Sequence, residues 1–233
     1  MKKYLCLLGF VLGSSLVQAQ SSGYYGGFGF FDFGMANYNL SPINNLLQAN
    51  GYSSLGSNFI TTGGSGFALF NNIVIGGAGG ALGTQSFSRP GATGRYNAGF
   101  GQFSVGYAFK TSEKAFFYPL VGLGGLQTNI QIEDDNTSGS VNNSFATPNQ
   151  VVNMNSSNGI LDFSLNYIFR VGGGGNAQGA GGPAIGISAG GFWSPGNASF
   201  KMNDKTMSDV PAFQPSGFYV RLKFGGGGYG RSN

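Results

Sequence analysis

The feature that most constrains this chain is a strict alternation of side chains. Leu161, Phe163, Leu165, Tyr167 and Phe169 stand at odd positions, with Asp162, Ser164, Asn166 and Ile168 between them, so only Ile168 breaks the pattern. Phe218, Val220, Leu222 and Phe224 alternate with Tyr219, Arg221 and Lys223, and Phe103, Val105, Tyr107 and Phe109 with Gln102, Ser104, Gly106 and Ala108. A strand turns successive side chains to opposite faces, so each run has one large apolar face and one polar or small face. No segment after the first twenty residues is a continuous apolar run long enough for a spanning helix.

Eight such segments are expected, at roughly 23–36, 58–70, 73–87, 95–110, 115–132, 159–170, 183–193 and 217–225. The connections between them hold 21, 2, 7, 4, 26, 12 and 23 residues, long and short in alternation. Transmembrane barrels have short turns on one side, long loops on the other and an even strand number. The expected fold is therefore all-β, an eight-stranded antiparallel transmembrane β-barrel. Asn71-Asn72 suits a two-residue hairpin, because Asn tolerates positive φ. In the first long connection Ser41 is expected to cap a short helix, with Pro42 in its first turn, Gly51 as its stop, and Ile43, Leu46 and Leu47 on one face. That helix covers the top of the barrel. Pro119 fits only near the start of the fifth strand or at a bulge.

Composition agrees. Charged residues make up 9 %, aromatic residues 15 %, and 44 of the 233 residues are Gly. So little charge excludes an ordinary cytosolic globule. The aromatic content excludes a typical disordered chain, and eight Pro without a Gly period exclude collagen. Strand glycines such as Gly76-Gly77-Ala78-Gly79-Gly80 relieve crowding in a narrow barrel and let its sheet coil. The start of the chain reads as a secretory signal peptide: Lys2 and Lys3, an apolar stretch from Tyr4 to Leu12, then Val17 and Ala19 ahead of a cut before Gln20. The chain thus divides into a signal peptide at 1–19, a barrel at 20–225 and a glycine-rich C-terminal tail at 226–233. Without Lys2 and Lys3 the remaining charge is ten basic minus eight acidic, or +2, which is no nucleic-acid footprint.

Cys6 falls within the signal, and the chain has no His. Thiolate nucleophiles, disulfides, zinc sites with N/S ligands and Ser-His-Asp chemistry are thereby excluded, and no catalytic residue, metal site or cofactor is expected. Gly225 to Gly230 fits G-x-G-x-x-G but has no helix after it, and no P-loop Gly-Lys-Ser/Thr occurs. The cluster Glu133-Asp134-Asp135 reads as a solvated loop tip rather than a calcium site. Lys110 and Arg170 end strands where headgroups are expected. Asp32, Asp162, Arg221 and Lys223 lie on the polar sides of their strands, and a charge facing lipid near midplane costs about 2–4 kcal/mol for Arg or Lys, so all four are expected to point inward as an interior ion-pair plug. The alternatives for them are a gated conduit or ligand site, and paired-carboxylate chemistry at Asp32 and Asp162. Trp193, Tyr167, Phe169 and Phe224 are the expected interfacial anchors.

These residues together resemble the small outer-membrane β-barrels of Gram-negative bacteria, of the OmpA-domain, OmpX and OmpW kind, and within them an uncharacterised glycine-rich barrel family. The final strand resembles the signal read by the barrel-assembly machinery, although nine residues follow Phe224. The resemblance implies an outer-membrane location after Sec-type export and cleavage near Ala19. It implies contact with outer-membrane lipid, the assembly machinery as a partner during biogenesis, and a non-enzymatic structural or surface-interaction role. Lipid-A deacylase barrels use a catalytic His, absent here. A narrow channel or carrier for small solutes and a secreted glycine-rich surface protein are the alternatives.

Overall fold

A computed structural model describes residues 23–112, 114–134, 151–172, 175–176, 179–202, 205–207 and 212–231. The signal peptide, the Asp135 end of the acidic cluster and the side chain of Lys110 lie outside what it describes. Eight long strands form the wall: β1 (Tyr24–Tyr38), β2 (Asn58–Phe70), β3 (Ile73–Arg89), β4 (Ala92–Tyr107), β5 (Ala115–Asp134), β6 (Val152–Arg170), β7 (Gly179–Trp193) and β8 (Ser216–Arg231). Each pairs antiparallel with its sequence neighbour, and β8 pairs with β1, so the sheet closes. Closure satisfies every strand edge, a requirement for backbone surrounded by hydrocarbon. At the ~3.3 Å rise and ~40° tilt usual for such barrels, a 15-residue strand such as β1 reaches roughly 38 Å, more than the ~25 Å apolar band.

The alternation falls as the sequence demands. Leu161, Phe163, Leu165, Tyr167 and Phe169 are exposed on the outer face, as are Phe218, Val220, Leu222 and Phe224 and the Phe103–Phe109 set. Ile168 is buried inside with the other even positions of β6 from Ser156 to Arg170.

Asn71 and Asn72 adopt φ of 51° and 67° and make the two-residue β2–β3 hairpin. Pro119 sits at the fifth position of β5. Opposite it the ladder is interrupted between Gly106↔Leu120 and Phe109↔Phe117, and the Ala108 N–H donates instead to Asn72 O at 2.8 Å. A bulge in β3 between Leu82 and Gln85 adds one residue opposite β4.

Four expectations need correction. β8 does not stop at residue 225; it runs to Arg231, and residues 226–231 pair with β1 as wall rather than tail. Phe224 therefore lies halfway along its strand, opposite Phe31, and not at an interface. Arg170 is buried, 6 % exposed, because its position on β6 faces inward, and its guanidinium stacks 5.5 Å over the Tyr229 ring. Finally, α1 (Ser41–Ala49) begins one residue earlier than a Ser41 cap allows. Ser41 is its first residue, its N–H donates to Asn39 Oδ1, and Leu46 faces outward at 41 % exposure while Ile43 and Leu47 are buried.

The glycines have a specific place. Inside the wall, rings face glycines across the ladder: Phe28↔Gly227, Phe30↔Gly225, Phe67↔Gly76, Phe87↔Gly94 and Phe192↔Gly217. A Cβ on Gly225 would collide with the Gly29 backbone across the β1–β8 seam. Gly225→Val is therefore expected to block closure, read as loss of the folded, fast-migrating band in unheated gel samples. Gly29→Ala, whose Cβ meets no atom within 4 Å, is expected to keep that band.

Candidate functional site in the barrel interior

The interior has three layers. At the end where β1 begins and β8 finishes, Phe28, Phe30, Leu69, Val74, Phe116, Tyr118, Ile168 and Tyr229 pack together. At the other end Tyr38, Leu40, Phe59, Leu82, Phe87, Tyr96, Leu126, Ile160 and Phe192 pack with Ile43 and Leu47 of α1. Between them lies a polar belt containing Asp32, Ser104, Asp162, Ser164, Asn166, Ser188, Arg221 and Lys223, all buried.

All four expected lumen ions belong to this belt. The β1–β8 register sets Asp32 directly opposite Lys223, and their side chains form a salt bridge of 3.2 Å. Lys223 Nζ donates to both Asp32 oxygens and, at 2.6 Å, to Ser65 Oγ of β2. Three acceptors for three ammonium protons is the satisfaction that a buried cation requires.

Asp162 is held differently. Tyr219 Oη lies 2.8 and 3.0 Å from its two oxygens, and Gln102 Nε2 donates to one of them at 3.1 Å. Arg221 is clamped between rings, 3.8 Å over Tyr219 and 4.5 Å over Phe100, and its Nε has no partner among the described residues. The plug is thus one direct ion pair beside a carboxylate and a guanidinium that share Tyr219. Each carboxylate has its own partners: Lys223 for Asp32, and Tyr219 and Gln102 for Asp162.

Ser65, Gln102 and Tyr219 were not singled out in the sequence. Their inward parity was visible; their partners depend on strand stagger around the barrel, which one strand's pattern does not encode. The space left beside Gln102, Asp162 and Arg221 is about 10 Å³, room for roughly one water.

The expected aromatic anchors face outward. Tyr167 and Phe169 belong to a band near the end where β1 begins, where Tyr107–Phe109 and Phe109–Phe117 ring centroids lie 5.0 and 6.2 Å apart and Phe117 pairs with Tyr167. Trp193 ends β7 at the opposite end of the wall.

No family model matches the chain, and no curated protein sequence matches it. Among solved structures it is similar to Ail, the attachment invasion locus protein of Yersinia pestis, with 12 % identity, TM-score 0.42, and 86 % of this chain and 98 % of that one covered. It is also similar to Neisserial surface protein A, with 15 % identity, TM-score 0.36, and 91 % and 98 % covered. A third is the outer membrane protease OmpT of Escherichia coli, with 9 % identity, TM-score 0.36, and 90 % and 95 % covered. Likeness at this level describes architecture only; the chemistry of the interior rests on this chain's own side chains.

The buried pair has a measurable consequence. Lys223→Met leaves Asp32 buried without its cation and should destabilise the barrel by about 3–5 kcal/mol, whereas Asp32→Asn combined with Lys223→Met should cost less than the single change. Urea unfolding in lipid vesicles measures both.

Proposed function

We propose that this chain is a non-enzymatic, sealed barrel of the bacterial outer membrane that carries loops at one end for surface contact and contributes to envelope integrity. The observation that carries this reading is the sidedness of the wall. Large apolar side chains such as Phe31, Phe103, Leu123, Phe163, Val220 and Leu222 are exposed around the outside, while Asp32, Asp162, Arg221 and Lys223 are all buried within. An exterior of this kind is stable only against hydrocarbon.

Export by the amino-terminal signal and cleavage near Ala19 belong to the same proposal. So does insertion by the barrel-assembly machinery through the final strand. The polar belt and its two apolar caps support a plug over a pore.

The expected result is fractionation with outer membrane, a folded band that shifts on heating, and a mature chain beginning at Gln20. Recovery as a soluble periplasmic protein would contradict the reading. A second reading, a narrow conduit, draws on the unpartnered Arg221 Nε beside the small interior space. Steady conductance in a planar bilayer that disappears in Arg221→Ala would favour it; the sealed barrel predicts none in either protein.

A further inference from the structure

On the outer face of the wall, at the end bearing α1, a glycine of β7 interrupts the apolar surface. Gly191 of β7 is paired with Phe163 of β6 on one side and with Phe218 of β8 on the other. Both rings are strongly exposed, Phe218 at 75 %. The Phe218 ring leans over Gly191, with carbons 3.2 and 3.4 Å from where a Cβ would stand, so the trough lies between that ring and Phe163. This groove measures about 560 Å³; Trp193 lines it, as does Asp162, whose carboxylate is engaged by Tyr219 and Gln102.

A second cleft of about 430 Å³ continues from it and shares Asn39, Trp193 and Ser216 with the groove. Its remaining polar lining is Asn197 and Gln214, and no ionisable side chain lines it among the described residues. Both sizes fall within the ~300–1,000 Å³ of small-molecule sites. The cleft walls are tied together: Ser194 N–H donates to Pro215 O at 2.9 Å, Ala198 N–H to Phe213 O at 2.6 Å, and Ser194 Oγ–H to Gly196 O at 2.8 Å. The shape is therefore formed before anything binds, which lowers the ordering cost of an occupant.

We infer that groove and cleft form one site for an amphiphile with an uncharged, hydroxyl-rich head, such as a sugar, and an alkyl chain. The chain lies on Gly191 between Phe163 and Phe218. Carboxamides of Asn39, Asn197 and Gln214 offer both donors and acceptors, which matches hydroxyl groups, and a cleft lined without charge gives no stabilisation to a phosphate or an ammonium. Trp193 spans the junction with one apolar face and one N–H donor, the usual position of Trp between wet and oily surroundings. The proposal rests on the membrane reading above, because the groove opens sideways from the wall.

Trp193 is the single tryptophan of the chain, so its fluorescence reports on this site alone. The protein is inserted into phosphatidylcholine vesicles, and dodecyl maltoside or dodecylphosphocholine, each with the same brominated chain, is added at equal low mole fraction. The maltoside is expected to quench Trp193 about threefold more strongly than the phosphocholine. Asn197→Ala, a loop substitution outside the ladder, is expected to abolish that difference, and Gly191→Leu, which fills the trough, to reduce quenching by both. Equal quenching by the two heads in the unaltered protein, or a preference that survives both substitutions, overturns the site. Failure of the chain to float with vesicles overturns the membrane reading, and the site with it.

Discussion

The bore of an eight-stranded barrel governs the rest of this structure. Such a bore holds side chains but cannot hold a large one from every strand at each level. Here the conflict is resolved pair by pair: a ring from one strand takes the space that a glycine on the next strand leaves open, as at Phe28 and Gly227 or Phe87 and Gly94. Close packing results, and with it two apolar caps dense enough to leave Val74 and Tyr96 fully buried. Inside the wall, Phe and Gly are thus one solution seen from two sides, while Phe31, Phe103 and Phe163 are exposed on the outer face.

The polar belt depends on those caps. Asp32 and Lys223 are removed from water at both ends, so their attraction is little screened, and their pairing carries a cost if either is lost. The belt also ties register to closure. Asp32 faces Lys223 only when β8 joins β1 in the observed alignment, and Ser65 of β2 completes the same ammonium. A slip of β8 by one residue would turn Lys223 toward lipid and leave Asp32 buried without its cation. The charge set therefore reads most simply as a lock on the final seam. The outer face is under a different constraint, and there a trough beside Gly191 lies open between Phe163 and Phe218.

Much of this was legible beforehand, for reasons tied to period. Alternation in β6 and β8 directly encodes which residues face in, so the burial of Asp162, Arg221 and Lys223 followed from parity. Asn71-Asn72 carried its turn in its own φ preference. Strand ends were less legible. Residues 225–230 contain five glycines and a tyrosine, and glycine has no preference to show; only the rings of Phe28 and Phe30 on β1 reveal that the glycines of β8 are wall. Arg170 was misplaced because its position in the strand suggested headgroups, whereas its parity pointed inward and Tyr229 receives it there. The helix cap failed because the helix starts at Ser41 itself, whose own N–H donates to Asn39 Oδ1, so Ser41 lies in the first turn rather than ahead of it.

The most direct test of ring-against-glycine packing is an exchange at Phe87 and Gly94. There the nearest atoms that a Cβ on Gly94 would meet belong to the Phe87 ring. Folding yield into lipid vesicles is measured, by the heat-dependent gel shift, for Gly94→Phe alone and for Gly94→Phe combined with Phe87→Gly. Complementary packing predicts that the single change abolishes the folded band and that the exchange restores it. A single variant that folds like the parent chain, or an exchange no better than the single change, would contradict complementary packing as the basis of the barrel.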